Sequence, residues 1–173
     1  MIRDLLAKVR SWVSILRSRR KHAHRYRQQG AVRRHQTLSS IRGDTDGETF
    51  ARRIAYLRKI DPLVFEELVL DAFAHHGWTI ERGSRYSGDG GLDGKVYRSG
   101  EWYGIQCKRY HGAIHSEHVQ QLAQDLRTFR MQRGFFVHTG RTPKAQERYP
   151  DCVVVVSGQR LIDFLTGKRD LSF

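Results

Sequence analysis

The stretch from residue 90 to residue 110, GGLDGKVYRSGEWYGIQCKRY, decides the fold of this chain. It holds two runs of β-forming residues, Leu92–Arg98 and Glu101–Tyr110, separated by the dipeptide Ser99-Gly100. Two strand-like runs joined by a glycine-containing pair predict an antiparallel β-hairpin with a tight turn. The chain is therefore expected to contain a sheet whose second and third strands are neighbours.

Polar residues on the second of these runs share one face of the predicted strand. Because side chains alternate along a strand, Gln106 and Lys108 point to the same side. The strand is otherwise apolar enough to be interior, and an inward-pointing lysine requires an anionic partner. Asp93 supplies one, since the hairpin brings the end of the third strand back to the start of the second.

This arrangement is suited to hydrolysis of a phosphodiester bond. Such cleavage requires a hard cation that neutralises developing charge and lowers the pKa of an attacking water. Mg²⁺ or Mn²⁺ takes oxygen ligands and keeps several waters, so Asp93 as the main ligand and one further oxygen suffice. The second ligand is either the side-chain oxygen of Gln106 or the main-chain carbonyl of Cys107. Lys108 is expected to orient or deprotonate the water and to offset charge on the phosphorane.

A helix preceding the hairpin contributes an acidic residue to the same prediction. Asp61-Pro62 is typical of a helix start, and Gly77 is a natural stop. The apolar residues between them occur at helical spacing, which places Glu66 in a partly buried position, where it can bind a metal-bound water. The same periodicity places Glu67 towards solvent. After the hairpin the pattern reads α-β-α-β-α, so the whole order α-β-β-β-α-β-α-β-α predicts an α/β fold, a mixed sheet flanked by helices.

These motifs together resemble the Mrr-type catalytic domain, a restriction-endonuclease-like branch of the PD-(D/E)XK nuclease fold in which Gln replaces the second acid. The resemblance covers about residues 61–165 and rests on Phe65-Glu66, Gly90–Gly94, Ile105–Tyr110 and Val137–Pro143 with Ala145, in that order. It implies a metal-dependent DNA endonuclease with Asp93, Gln106 and Lys108 as its catalytic triplet. The helix glutamate of the family corresponds to Glu66.

Charge is distributed unevenly along the chain, whose net charge is +13. Residues 1–60 carry 16 Lys and Arg against four acids, whereas residues 61–173 carry 15 against 14. The sequence therefore predicts a basic helical or flexible extension over 1–44, followed by a nuclease domain over 45–173. Such a run suits a polyanion, and the predicted DNA contacts are Arg17, Arg19, Arg20, Lys21, Arg25, Arg27, Arg33 and Arg34, with Arg109 from the body. A short helix near residues 50–57 is expected to keep Arg52, Arg53, Arg58 and Lys59 in solvent.

The remaining features limit the classes of protein. Two cysteines, Cys107 and Cys152, lie in apolar runs and are expected to be free thiols in a reducing compartment. No apolar run is long enough for an integral membrane segment, and the residues 1–16 lack the apolar core of a signal peptide. A cytoplasmic protein is expected. An apolar stripe over Ile2–Leu16 favours packing on the core or on a partner, such as a second copy in a homodimer, over contact with a membrane surface.

Four alternative interpretations remain open at this point. Asp93 and Lys108 can form an ion pair that is only structural. The closely spaced His111, His115 and His118 invite a zinc site, although no cysteine or carboxylate completes the set. The domain can be a catalytically idle DNA-binding module of the same fold. The basic N-terminus can anchor a peripheral membrane protein.

Overall fold

The computed structural model describes residues 29–83, 91–143 and 149–171. Several sequence-based predictions lie wholly or largely outside these described residues: the apolar stripe over 2–16, the basic residues from Arg17 to Arg27, the glycine-rich loop after residue 83 and the polar helix expected after Pro143.

A five-stranded mixed sheet forms the centre of the described chain. The strands are β1 (Thr79–Arg82), β2 (Gly94–Arg98), β3 (Glu101–Lys108), β4 (Arg133–His138) and β5 (Val153–Val156), in this spatial order. The first three strands pair antiparallel, and β3, β4 and β5 pair parallel. The predicted α/β architecture with a mixed sheet is confirmed.

The hairpin between β2 and β3 forms where the sequence predicted it. Ser99 and Gly100 both have positive φ, at 52° and 88°, as the two central residues of a type I′ turn require. Gly94 pairs with Ile105 in the resulting register. The start of β2 therefore lies beside the end of β3, at the edge where β4 also ends at His138. We call this edge of the sheet the carboxyl edge.

Helices cover both faces of the sheet. Besides residues 29–40, which form α1, the helices are α2 (Asp46–Leu57), α3 (Pro62–His75), α4 (Ser116–Thr128) and α5 (Gly158–Leu165). α3 begins as predicted, because the Asp61 side chain accepts hydrogen bonds from the first-turn amides at 2.9 and 3.2 Å, with Pro62 in the first turn. One core cluster joins α1, α2, α3 and α5 to one face, and a second joins α4 to the other.

The start of the described chain packs on the body. Ala31 and Leu38 of α1 are buried in the same core cluster as α3 and α5. This part of the basic segment is therefore a packed helix, not a flexible arm. The division of the chain at residue 44 stays a prediction. Part of the predicted N-terminal extension, Ala31 and Leu38, packs in the core of the body.

Two predictions of exposed side chains are wrong. Arg53 is only 6% exposed, because α2 turns this residue towards α1, where its guanidinium reaches the Ser39 carbonyl at 3.5 Å. Glu67 is only 2% exposed and accepts a hydrogen bond from Arg82 of β1 at 2.7 Å. In both cases a long polar side chain is turned inward by contacts distant in sequence, which helical periodicity does not contain.

Candidate active site

Asp93 is fixed at the carboxyl edge by two hydrogen bonds to β3. Its main-chain N–H donates to the Ile105 carbonyl at 2.9 Å, and its Oδ2 accepts from the Cys107 N–H at 2.6 Å. The aspartate therefore straddles Gln106. The hairpin predicted this proximity, but the main-chain bond to the carboxylate is a contact that only the structure shows.

A glycine in β3 allows this approach. A Cβ atom on Gly104 would meet Leu126 of α4 at 2.6 Å and Leu92 at 2.9 Å. Both distances are shorter than side chains tolerate, so a larger residue would push Leu92, and Asp93 with it, away from β3. Gly104 thus contributes to the geometry of the site without carrying any chemistry.

The Asp93 carboxyl group is partly deprived of solvent. Burial raises the pKa of this group to about 6, although the Cys107 N–H and the charge of Lys108 lower it. No salt bridge joins Asp93 to Lys108 within the described residues, so the interpretation as a structural ion pair loses its premise. A buried carboxylate that no described cation contacts favours the binding of one.

Gln106 and Lys108 lie on one face of β3, on either side of Cys107, whose N–H contacts Asp93. Gln106 is only 7% exposed, and its Oε1 atom is buried without a hydrogen-bond partner in the described chain. An unsatisfied buried acceptor of this kind calls for an explanation. Lys108 is half-buried at the end of the strand, and no described residue forms a hydrogen bond or ion pair with its side chain. Gln106 and Lys108 therefore offer Asp93 an amide oxygen and an ammonium group that no other described residue engages.

The main chain of Cys107 supplies a further oxygen. In a strand the N–H and C=O of one residue face the same neighbour, and the Cys107 N–H faces Asp93. Its carbonyl consequently points to the same side, towards Asp93, the residue just before β2 begins at Gly94. Burial, followed by the charges of Asp93 and Glu66, raises the pKa of the Cys107 thiol, which is thus uncharged. The influence of Glu66 on this thiol places the partly buried Glu66 of α3 close to the site.

The neighbouring residue Glu67 has a different role. Arg82 donates from Nε to Glu67 and from Nη2 to Asp71, both at 2.7 Å. These ion pairs tie α3 to β1 and fix the rotation of α3 about its axis. Glu66, one residue earlier on the same helix, is close enough for its charge to raise the pKa of the Cys107 thiol.

The groups at this edge that could hold a cation offer hard oxygen atoms. They comprise carboxylates of Asp93 and Glu66, the amide oxygen of Gln106 and the Cys107 carbonyl. This composition fits Mg²⁺ or Mn²⁺ and does not fit zinc. In the described ranges no three or more His, Cys, Asp or Glu are grouped so as to hold a metal ion, so the zinc alternative for the histidines gains no support. Instead the Tyr110 hydroxyl hydrogen-bonds to the His118 ring, and His115 packs against both rings.

The predicted DNA contacts are only partly within the described residues. Arg33 is exposed on α1, and Arg34 donates to the Tyr56 hydroxyl at 3.3 Å. Arg109 is half-buried and donates to the Arg58 carbonyl at 2.9 Å, which favours a structural role. Its contact with DNA stays a prediction, as do those of the residues from Arg17 to Arg27.

Sequence reasoning missed the residues that hold the end of β4. The Arg58 guanidinium donates through Nε and Nη2 to the Thr139 carbonyl at 3.0 and 2.9 Å. His138, fully buried, pairs in register with Lys108, and burial lowers the pKa of its imidazole to about 4. The signal available in the sequence was the run VHTGRTP, which ends a buried strand and continues past it without any acid.

The fold and this edge of the sheet define a protein of the restriction endonuclease class. The family model of the Mrr catalytic domain, described as restriction endonuclease, matches residues 57–165, and the chain belongs to this family. Among solved structures it is similar to the MspJI restriction endonuclease in complex with a 27-mer oligonucleotide, with 25% identity and a TM-score of 0.53. That match covers 69% of this chain and 32% of the MspJI chain, so this chain matches about a third of that protein. No curated protein matches the sequence.

In the described residues no helix has both the length and the apolar character to cross a membrane.

Proposed function

We propose that this protein is a divalent-metal-dependent endonuclease that hydrolyses phosphodiester bonds of DNA. The observation that supports it most directly is the cluster at the carboxyl edge: a carboxylate with a raised pKa, a buried amide oxygen and a lysine, the last two without a partner among the residues that the structure describes. Membership of the restriction endonuclease family and the DNA-bound MspJI structure support DNA as the substrate.

Each residue has a defined task in this proposal. Asp93 and either Gln106 or the Cys107 carbonyl would hold Mg²⁺ or Mn²⁺, with Glu66 binding one of its waters. The cation, when bound, neutralises charge on the phosphate and lowers the pKa of the attacking water. Lys108 orients or deprotonates that water and then stabilises the negative charge of the phosphorane. The buried Cys107 thiol remains neutral and does not compete as a nucleophile.

Purified protein incubated with supercoiled plasmid tests this proposal. We expect nicking or linearisation with Mg²⁺ or Mn²⁺ and none in excess EDTA. Lys108→Ala should lose about 10²–10⁴ in rate, the usual contribution of a positioned acid–base group. Lys168→Ala, which removes an exposed lysine after α5, is the matched control and should cleave at the wild-type rate. Modified and unmodified plasmids compared side by side would reveal any dependence on base modification.

The same assay separates the idle DNA-binding alternative. Folded wild-type protein that retains DNA in a gel shift, but cleaves neither plasmid with any divalent metal, would contradict hydrolysis and support a binding module. Cleavage by Lys108→Ala at the wild-type rate would remove Lys108 from the mechanism.

A further inference from the structure

The four residues after β4, Thr139–Thr142, form a loop with few unsatisfied main-chain groups. We call it the 139–142 loop. Its first residue donates from its N–H to the Lys108 carbonyl at 3.3 Å and exchanges side-chain bonds with the Tyr110 main chain at 3.0 and 3.1 Å. The Arg58 guanidinium donates two hydrogen bonds to the carbonyl of the same residue, Thr139. The loop is thus tied directly to the strand that carries Lys108.

The middle of the loop pairs with a second loop. The Arg141 N–H donates to the Gly112 carbonyl at 2.9 Å, and the Arg141 carbonyl accepts from Ile114 at 3.0 Å. Gly140 has to be glycine, because a Cβ there would meet the Gly112 oxygen at 2.6 Å. These contacts continue the parallel pairing of β3 and β4 past the carboxyl edge.

The buried His138 and two hydroxyl groups complete the support. The Gly140 N–H donates to His138 Nδ1 at 3.1 Å, so Nε2 carries the ring proton and donates to the Thr142 hydroxyl at 3.2 Å. That hydroxyl also bonds to Ser157, the residue before α5, at 2.7 Å. A loop fixed in this way loses little conformational freedom on binding a ligand.

One side chain of the loop has no such commitment. Arg141 is exposed and, within the described residues, its guanidinium has no hydrogen-bond or ion-pair partner. Segments 108–115 and 138–143 contain no Asp or Glu and carry Lys108, Arg109 and Arg141 with three histidines. At about 3.3 Å per residue, Arg141 lies roughly 10 Å past the end of β4, a distance of a few nucleotides from the Lys108 site.

We propose that the 139–142 loop is a phosphate-contact site, in which Arg141 binds the backbone of duplex DNA beside the cleavage site. This inference rests on the proposed function for its ligand but not for its chemistry. A guanidinium on a rigid support is suited to bidentate contact with phosphate oxygens. A contact of this type carries no base information, so Arg141 contributes affinity and register on the DNA and not sequence preference.

The test measures binding of a labelled duplex in EDTA, where cleavage is excluded, over a series of salt concentrations. Arg141→Ala should weaken binding about tenfold at low salt, as expected for loss of one charge-assisted hydrogen bond, and equally for unrelated sequences. The slope of log affinity against log salt should decrease by about 0.9, the value for one phosphate on duplex DNA. Arg141→Lys should restore the slope but only part of the affinity, because lysine binds as a point charge. Arg127→Ala is the matched control, since this exposed arginine in the last turn of α4 lies at the opposite edge of the sheet.

The outcomes distinguish this inference from the proposed function. In cleavage assays Arg141→Ala should raise KM and leave kcat nearly unchanged. A salt slope equal to that of the wild type, or an equal effect of Arg127→Ala, would overturn the role of Arg141 while leaving hydrolysis intact. The predicted slope change in a protein that never cleaves would support the contact and refute the nuclease. A wild-type protein that does not bind duplex DNA would overturn both.

Discussion

Replacing Asp93 with asparagine should stabilise this protein in the absence of metal while abolishing cleavage. Asparagine has almost the same shape and its Oδ1 can still accept the hydrogen bond from the Cys107 N–H. It removes the negative charge, whose burial raises the pKa of Asp93 from 3.8 to about 6. A carboxyl group with a raised pKa stabilises the fold when protonated, below about pH 4, and that stabilisation is lost as the pH rises through about 6.

The pKa difference sets the size of the effect. A shift of about two units at roughly 1.4 kcal/mol per unit corresponds to about 3 kcal/mol. The carboxylate keeps some contact with solvent, so we expect Asp93→Asn to raise the free energy of unfolding at pH 8 by roughly 2–3 kcal/mol. For a domain of this size the midpoint of thermal unfolding should rise by about 5–10 °C. The difference should shrink as the pH falls from 6 to 4, where the wild-type carboxyl becomes neutral.

Thermal unfolding in EDTA at pH 4, 5, 6 and 8, followed by circular dichroism, measures this directly. Asp151→Asn is the control, because Asp151 is exposed in the turn before β5, far from the carboxyl edge. Adding Mg²⁺ should stabilise the wild type, by about 2.7 kcal/mol at a hundredfold excess over the dissociation constant, and should leave Asp93→Asn unchanged. A variant less stable than the wild type at pH 8, or a difference that does not vary with pH, would refute the assignment of Asp93 as a buried carboxylate whose charge destabilises the metal-free protein.

Three further predictions concern the two glutamates of α3, the buried His138 and the basic N-terminal segment. Glu66→Gln should reduce cleavage with little change in the free energy of unfolding. Glu67→Gln should lower the free energy of unfolding by about 3 kcal/mol, because it breaks the ion pair of the buried Glu67 with Arg82. Equal effects of the two variants on stability would contradict the separate roles of the two glutamates. The buried His138 takes up a proton only near pH 4, while the unfolded chain does so near pH 6.5, a contribution opposite in sign to that of Asp93 over the same range. In Asp93→Asn, where the opposing contribution is absent, stability should therefore fall by up to about 3 kcal/mol as the pH drops across this range. His138→Gln should flatten that pH dependence, and an unchanged profile would show that His138 is not its source. Deleting residues 1–28, which carry nine Lys and Arg against one acid, should weaken DNA binding and flatten its salt slope, once circular dichroism has verified the fold of the truncated protein. Lost liposome flotation with unchanged DNA affinity would instead favour the membrane anchor. Deletion to residue 44 is unsuitable, since it removes the buried Leu38 at a cost of about 2–5 kcal/mol.

Local patterns were sufficient to predict much of the fold. Alternation and a glycine-containing turn identified the hairpin, and Asp61-Pro62 marked the start of α3, because each signal depends only on residues a few positions apart. The same local logic placed Gln106 and Lys108 on one face, with Asp93 opposite them. For this reason the candidate site could be proposed from the sequence, and the structure brings Asp93 beside the end of β3 that carries Gln106 and Lys108.

Burial and pairing that depend on contacts between distant segments could not be predicted from local sequence patterns. Arg53 and Glu67 were expected in solvent, but each is buried by an element that local periodicity does not include. Parallel pairing of β3 with β4 brings Lys108 beside His138, thirty residues later, and Arg58 reaches Thr139 across 81 positions. Residue types and spacing determined which chemistry this protein can carry. Only the tertiary structure decided which charged groups at the carboxyl edge have no partner among the described residues, because burial and partner geometry are properties of the packed chain.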